Sequence, residues 1–263
     1  MPAFLREAAE RIGYLGPEPD RWRNRSEYEL KEAQEPDHFI DLERLQGFGE
    51  LPRSRYVYYR RLYELHNSAT PGSPAAADEM LPDKIGLQPW AALEVFDRLK
   101  VAFREYRSLT AAKQPSAQAE QDAIFYAGWL GHYVADGSNP MHTSIHYNGW
   151  VGENPGGYTT ARDTHSNFES RFVSANLAKL RIDDLLHDPV RLDHPFQDYV
   201  QYLRDSNALI RPFYELEKKG AFRAAGTPEG VEFTRARLAA GAQMLLNMWY
   251  TAWVESGEPR PGD

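Results

Sequence analysis

Apolar residues recur through most of this chain at steps of three and four and almost never alternate at steps of two. In the stretch from Trp90 to Tyr106, Leu93, Phe96, Leu99 and Phe103 fall on one helical face. Similar patterns predict helices over Ser54 to Leu65, Ala117 to Ala135, His165 to Leu180, Phe196 to Lys219 with a bend before Pro212, and Pro228 to Glu255. The expected class is all-α, as one domain over residues 1–263. Ser68 to Ala77 has the Pro, Ser, Ala and Gly content of a surface loop. Tyr147 to Asp163, with four glycines and a proline, cannot form a regular helix and is expected to be a loop beside the site.

Composition narrows the chemistry. The chain has 263 residues, 42% of them hydrophobic, enough for a substantial core. With 38 acidic and 30 basic residues the formal charge is −8, so no long-range attraction to phosphate backbones or anionic membranes operates, and phosphate chemistry would need a local cation. Cysteine is absent, which removes disulfides, thiolate ligands and cysteine nucleophiles together. Histidine and carboxylate must supply the reactive groups. No apolar run approaches the roughly 20 residues of a membrane span, so no stable membrane insertion is expected. The segment Met1 to Ile12 carries Arg6, Glu7, Glu10 and Arg11, and no export signal is visible there.

The candidate ligands stand in two pairs. His132 and Asp136 are four residues apart in GWLGHYVADGSNPMH, which stacks their side chains on one helical face. Gly137, Ser138, Asn139 and Pro140 signal a helix stop, and His142 follows, bringing another imidazole back towards the pair. His165 and Glu169, in DTHSNFESRF, repeat the four-residue spacing. One such pair is common on helix surfaces. Two pairs are not, and Trp129, Leu130, Tyr133 and Val134 set Asp136 in apolar company that a carboxylate tolerates only when paired or metal-bound. Nitrogen and oxygen donors of this kind suit zinc. His66, His187 and His194 lack partners at helical spacing and read as surface or packing residues, whereas His146 could substitute for His142.

These residues resemble the zinc-dependent phospholipase C and P1/S1 nuclease superfamily, whose motif runs His-x-x-x-Asp, five residues, His, then a distant His-x-x-x-Asp/Glu. Asn139-Pro140-Met141-His142 is similar to the family's Gln-Pro-Leu/Met-His. His38-Phe39-Ile40-Asp41 repeats the nuclease branch's His-Phe-Ile-Asp, and Asp20-Arg21-Trp22-Arg23 its Asp-x-x-Arg. The resemblance implies a helical domain with a zinc cluster in a cleft. One zinc would take Asp20, His38, His132 and Asp136, and a second His142, His165 and Glu169. It further implies Asp41 beside the metals as the residue that orients or deprotonates water, Arg23 as a phosphate-binding cation, and Phe39 as a base-stacking platform. Read without it, Arg23 pairs with Glu18 or Asp20, Asp41 caps a short helix before Leu42 to Leu45, and Phe39 packs in the core. The family's third zinc uses an amino-terminal Trp, a nearby His and the counterpart of Asp136. No histidine precedes His38 here, so either a missing amino-terminal segment supplies those ligands and a third zinc, which is the expectation, or the third metal is lost and two zincs remain.

The implied function is hydrolysis of phosphate esters by a single-strand nuclease or 3'-nucleotidase, on single-stranded nucleic acid or nucleotides, in a secreted or periplasmic protein with no protein partner. A phospholipase C acting on phospholipid head groups is the alternative, with the Tyr147 to Tyr158 loop and Trp150 as its lipid-facing element. A non-catalytic helical binding protein with a structural zinc site is the third reading.

Overall fold

The computed structural model describes residues 1–73 and 80–259, and among these it is helical, with no strand. Four short helices open the chain: α1 (Ala3–Glu7), α2 (Ala9–Leu15), α3 (Glu18–Trp22) and α4 (Tyr28–Gln34). A 3-10 turn, Glu35–His38, leads into an extended strap through Phe39, and a second, Leu42–Leu45, follows Asp41. Next come α5 (Arg55–Ser68), α6 (Pro82–Ile85), α7 (Gln88–Ala111) and α8 (Ala117–Ser138). Ser54 caps α5, its hydroxyl accepting from the amide of Val57 at 3.4 Å. The predicted Ser68 to Ala77 loop begins one residue later than expected, because Ser68 closes α5, and it lies outside the described residues from position 74.

α7 and α8 form the centre of the molecule, and α13 (Pro228–Glu255) packs against both. Leu99, Phe103, Ala92 and Val95 of α7 are buried with Ala123, Ala127 and Leu130 of α8. The small residues of α8 set how closely its neighbours approach. A Cβ at Gly128 would lie 2.5 Å from Leu15 Cβ, so α2 can lie across α8 only because position 128 has no side chain. Tyr199 and Tyr202 of α11 (Pro195–Asn207) donate to the carbonyls of Tyr133 and Val134 at 3.0 and 2.7 Å, fixing the last turns of α8.

Between α8 and α11 the chain differs from expectation in one respect. The predicted single helix from His165 to Leu180 changes pitch: α9 (Thr164–Ser166), a π-helical turn at Asn167–Phe172, α10 (Val173–Asn176) and a 3-10 turn at Leu177–Lys179. Such wide turns recur where a side chain must be re-aimed. Here Phe168 and Phe172 enter a second aromatic cluster with Phe213, Tyr214 and Phe222, while Glu169 faces two histidines. The expected bend before Pro212 falls at Ala208 and Leu209, between α11 and α12 (Ile210–Lys218). Residues 147–163 form the predicted loop, pinned where Gly149 donates to Tyr214 Oη at 3.0 Å and Trp150 to the Thr159 carbonyl at 2.8 Å.

The strap at 36–41 is stitched to the α6–α7 junction. Leu87 donates to the Pro36 carbonyl and Asp41 to that of Ile85, both at 2.7 Å, and Gln88 to that of Phe39 at 3.2 Å. Gly86 has φ +100°, and a Cβ there would meet the Phe39 carbonyl oxygen at 2.1 Å. Gly86→Ala is therefore expected to cost at least about 2 kcal/mol, read as a lowered denaturation midpoint; an unchanged midpoint would mean that the strap tolerates displacement.

Candidate metal centre

The strap, α3, α8 and the turn after it, and α9 with its π turn bring the predicted ligands together, and all of them but His132 line one cleft of about 820 Å³. Two groups of donor atoms form. Asp20, His38 and His132 make one, and His142, His165 and Glu169 the other. In the first, His132 Nε2 lies 2.9 Å from His38 Nδ1. Asp136 Oδ2 joins them at 3.1 Å from His38 Nδ1 and 3.4 Å from His132 Nε2. Asp20 is looser: its Oδ1 stands 3.9 Å from both imidazoles, on a one-turn helix and with its side chain 55% exposed. In the second group, Glu169 Oε1 is 3.1 Å from His142 Nε2, and Oε2 is 2.9 Å from His165 Nε2.

A tetrahedral ion with bonds of about 2.0–2.1 Å holds its ligand atoms roughly 3.3 Å apart. The spacings among His38, His132 and Asp136 lie near that edge, Asp20 is wider, and in the second group Glu169 meets His142 and His165 through different oxygens, with one donor atom from each residue within 4.8 Å of the others. The second group is also oriented for the purpose. His142 Nδ1 lies 2.8 Å from the His38 carbonyl and His165 Nδ1 3.1 Å from the Tyr147 carbonyl. A carbonyl only accepts, so each Nδ1 carries a proton, and each Nε2 is turned to the carboxylate. Asn139, whose Oδ1 caps the 3-10 turn Pro140–Thr143 through the Met141 amide at 3.1 Å, donates from Nδ2 to Glu169 Oε1 at 2.6 Å. α8 itself continues through Gly137 and Ser138, so the predicted stop begins at Asn139.

Electrostatics follow from this packing. Burial alone would raise the Asp136 carboxyl, but the imidazoles of His142, His132 and His38 hold it below the usual carboxylate range. Glu169 is likewise driven below its ordinary value, against burial, by His142 and His165. Burial works against protonating His142, yet Asp136 and Glu169 raise it to about 10. At His38 burial prevails over Asp136 and lowers the imidazole. Both carboxylates are thus held ionised by the imidazoles around them.

Arg23, Asp41 and Phe39 line the same cleft. Arg23 Nη1 is 3.2 Å from Asp20 Oδ1, so it is ion-paired and cleft-facing at once. Asp41 precedes the Leu42–Leu45 turn without capping it by its side chain; it is buried, 3.4 Å from Arg44 Nε. Phe39 is half-buried. The basic side chains that line the cleft are Arg23, Lys31, Arg44 and Lys84, each beside a carboxylate.

His146 does not join either group. It is buried and stacked on Trp150 at 3.7 Å, accepting at Nδ1 from the Val151 amide. Trp150 is 6% exposed, which removes it as a lipid-facing element. His187 and His194 are exposed and His66 half-buried, as expected. Gln88, Asn139 as a partner of Glu169, and the carbonyls of His38 and Tyr147 support the site without standing among the predicted residues. Only Asn139 carried a signal, as the amide before Pro140 in the NPMH motif.

Compared with protein-family models, with curated proteins and with solved structures, the chain matches none.

Burial raises Asp41 from 3.8 to about 7, outweighing Arg44. In metal-free protein the folded state therefore binds more protons than the unfolded between these values, and stability falls as pH rises through that window. Asp41→Asn should stabilise metal-free protein more at about pH 8 than at about pH 4; equal shifts in melting temperature would mean that Asp41 is already ionised in the fold.

Proposed function

We propose that this chain is a zinc-dependent phosphoesterase of the single-strand nuclease or 3'-nucleotidase kind, acting on short single-stranded nucleic acid or nucleotides. The observation that carries the reading is the pair of nitrogen and oxygen donor groups opening into one cleft beside basic side chains. His38, His132, Asp136 and Asp20 would hold one zinc, and His142, His165 and Glu169 a second. Zinc, when bound, lowers the pKa of coordinated water and polarises a phosphoryl oxygen.

The chain's own residues supply the rest. Asp41, buried and with a raised carboxyl, is suited to take the proton from a water attacking phosphorus as the ester P–O bond breaks. Arg23 can exchange its contact with Asp20 for phosphate oxygens, where a guanidinium binds two at once. Phe39 offers an apolar face beside His38, and stacking on such a face tolerates any base. The overall charge of −8 argues for short substrates over long backbone tracking. A phospholipase reading loses its lipid-facing tryptophan, since Trp150 is buried. An extracytoplasmic location rests on the resemblance alone, and among the described residues no helix is long and apolar enough to cross a membrane.

Purified protein should carry about two zinc equivalents and release nucleotides from single-stranded DNA, with no choline phosphate released from phosphatidylcholine. Less than one equivalent of zinc, with no hydrolysis on adding the metal, would leave a binding protein as the answer. His132→Ala is expected to lower activity by more than about 100-fold, while His146→Ala keeps zinc content and activity; equal losses would mean that the wrong histidine has been assigned.

A further inference from the structure

Histidines that bind metal ordinarily have their far ring nitrogen held by a carbonyl or carboxylate, which fixes the ring. His142 and His165 follow the rule, through the carbonyls of His38 and Tyr147. His38 does not. Its Nδ1 faces Asp136 and His132, and its Nε2 is buried without a hydrogen-bond partner, the ring lying edge-on to Tyr133. Something other than a ring hydrogen bond must hold this ligand.

The support comes through the backbone. Gln88, at the first position of α7 and completely buried, donates from Nε2 to the His38 carbonyl at 3.3 Å and to the Tyr133 carbonyl at 3.1 Å. Its backbone amide holds the next residue of the strap, Phe39. One side-chain amide thus joins the strap that carries His38 to the turn of α8 next to His132. The His38 carbonyl has two lone pairs, and the second takes Nδ1–H of His142, a member of the other donor group. The amide of Ile40 closes the same link by donating to the His142 carbonyl at 2.9 Å.

We infer that Gln88 is a positioning residue for both donor groups, and that the two groups fill in a coupled manner because they share the His38 carbonyl. The inference rests on the metal-centre reading above. With Gln88 in place, a cation that fixes His38 fixes the carbonyl to which His142 is anchored, so the second group is pre-oriented. Without it, the strap loses the link between its backbone and that of α8, leaving only the ring contacts of His38, and both imidazoles gain freedom.

Gln88→Met keeps the length of the side chain and removes the donor. In the full chain, zinc affinity measured by competition with a chromophoric chelator should fall roughly 10- to 100-fold at both groups, and the visible bands of the cobalt-loaded protein should shift. Leu99→Ala, a core truncation on the same helix, should lower the melting temperature and leave affinity and cobalt spectrum unchanged. Should Gln88→Met fail to fold, the wild-type protein still decides: the Gln88 side-chain amide protons should shift and gain exchange protection on adding zinc. Wild-type protein that binds two zincs while Gln88→Met matches it in affinity and spectrum overturns this inference alone. So does equal loss in Leu99→Ala, and a loss confined to the first group overturns the coupling. Wild-type protein that binds no zinc overturns the metal-centre reading with it.

Discussion

Asp136 is a carboxylate enclosed by three imidazoles, and the architecture around it makes that enclosure tolerable. A charge removed from water costs several kcal/mol unless partners meet it at close range. His38, His132 and His142 come within 3.1, 3.4 and 3.6 Å of its Oδ2. Only His132 is a neighbour on the same helix. The other two arrive from a strap near the start of the chain and from the turn after α8, so the fold must hold three separate backbones in register to within a hydrogen-bond length.

That register is kept by backbone hydrogen bonds and by polar side chains outside the ligand set. The strap is bound to the α6–α7 junction, while Tyr199 and Tyr202 fix the end of α8 from a helix with no ligand of its own. Glu43 performs a similar task after His142, accepting from Ser144 Oγ at 2.6 Å, Asn207 Nδ2 at 2.9 Å and the Ile145 amide at 3.2 Å. Polar groups outside the ligand set are thus spent on immobilising the segments that carry it. The resulting rigidity is what a centre needs if donor atoms are to stay at coordinating distance.

What was legible in the sequence was whatever depends on local period. The helical class, α7 and α13, and the pairs His132–Asp136 and His165–Glu169 follow from steps of three and four residues. The helix stop after Asp136 pointed to His142, and the short motif HFID supplied His38, which periodicity cannot reach. The rest depends on contacts between residues distant in the chain. Gln88 looks like any polar residue at a helix start, and its role exists only because His38 and Tyr133 turn their carbonyls to it. Trp150, offered as the lipid-facing element of the phospholipase alternative, is enclosed by His146 and Tyr214. The π turn at Asn167–Phe172 leaves no periodic signature, since the same phenylalanines would suit an ordinary α-helix.

The two hydrophobic clusters give the centre a further consequence. His38 and His132 belong to segments packed on the α7–α8 core, whereas His165 and Glu169 flank Phe168 of the second cluster. A chain without cysteine has no covalent cross-link with which to join them. On the proposed reading, each bound zinc draws its ligands from separated segments and so restricts the unfolded chain as well as completing a site, which makes metal affinity part of folding free energy. His142 occupies the junction: its Nε2 faces Glu169, while its Nδ1–H is held by the His38 carbonyl. Through it, order in one cluster reaches the donor atoms carried by the other.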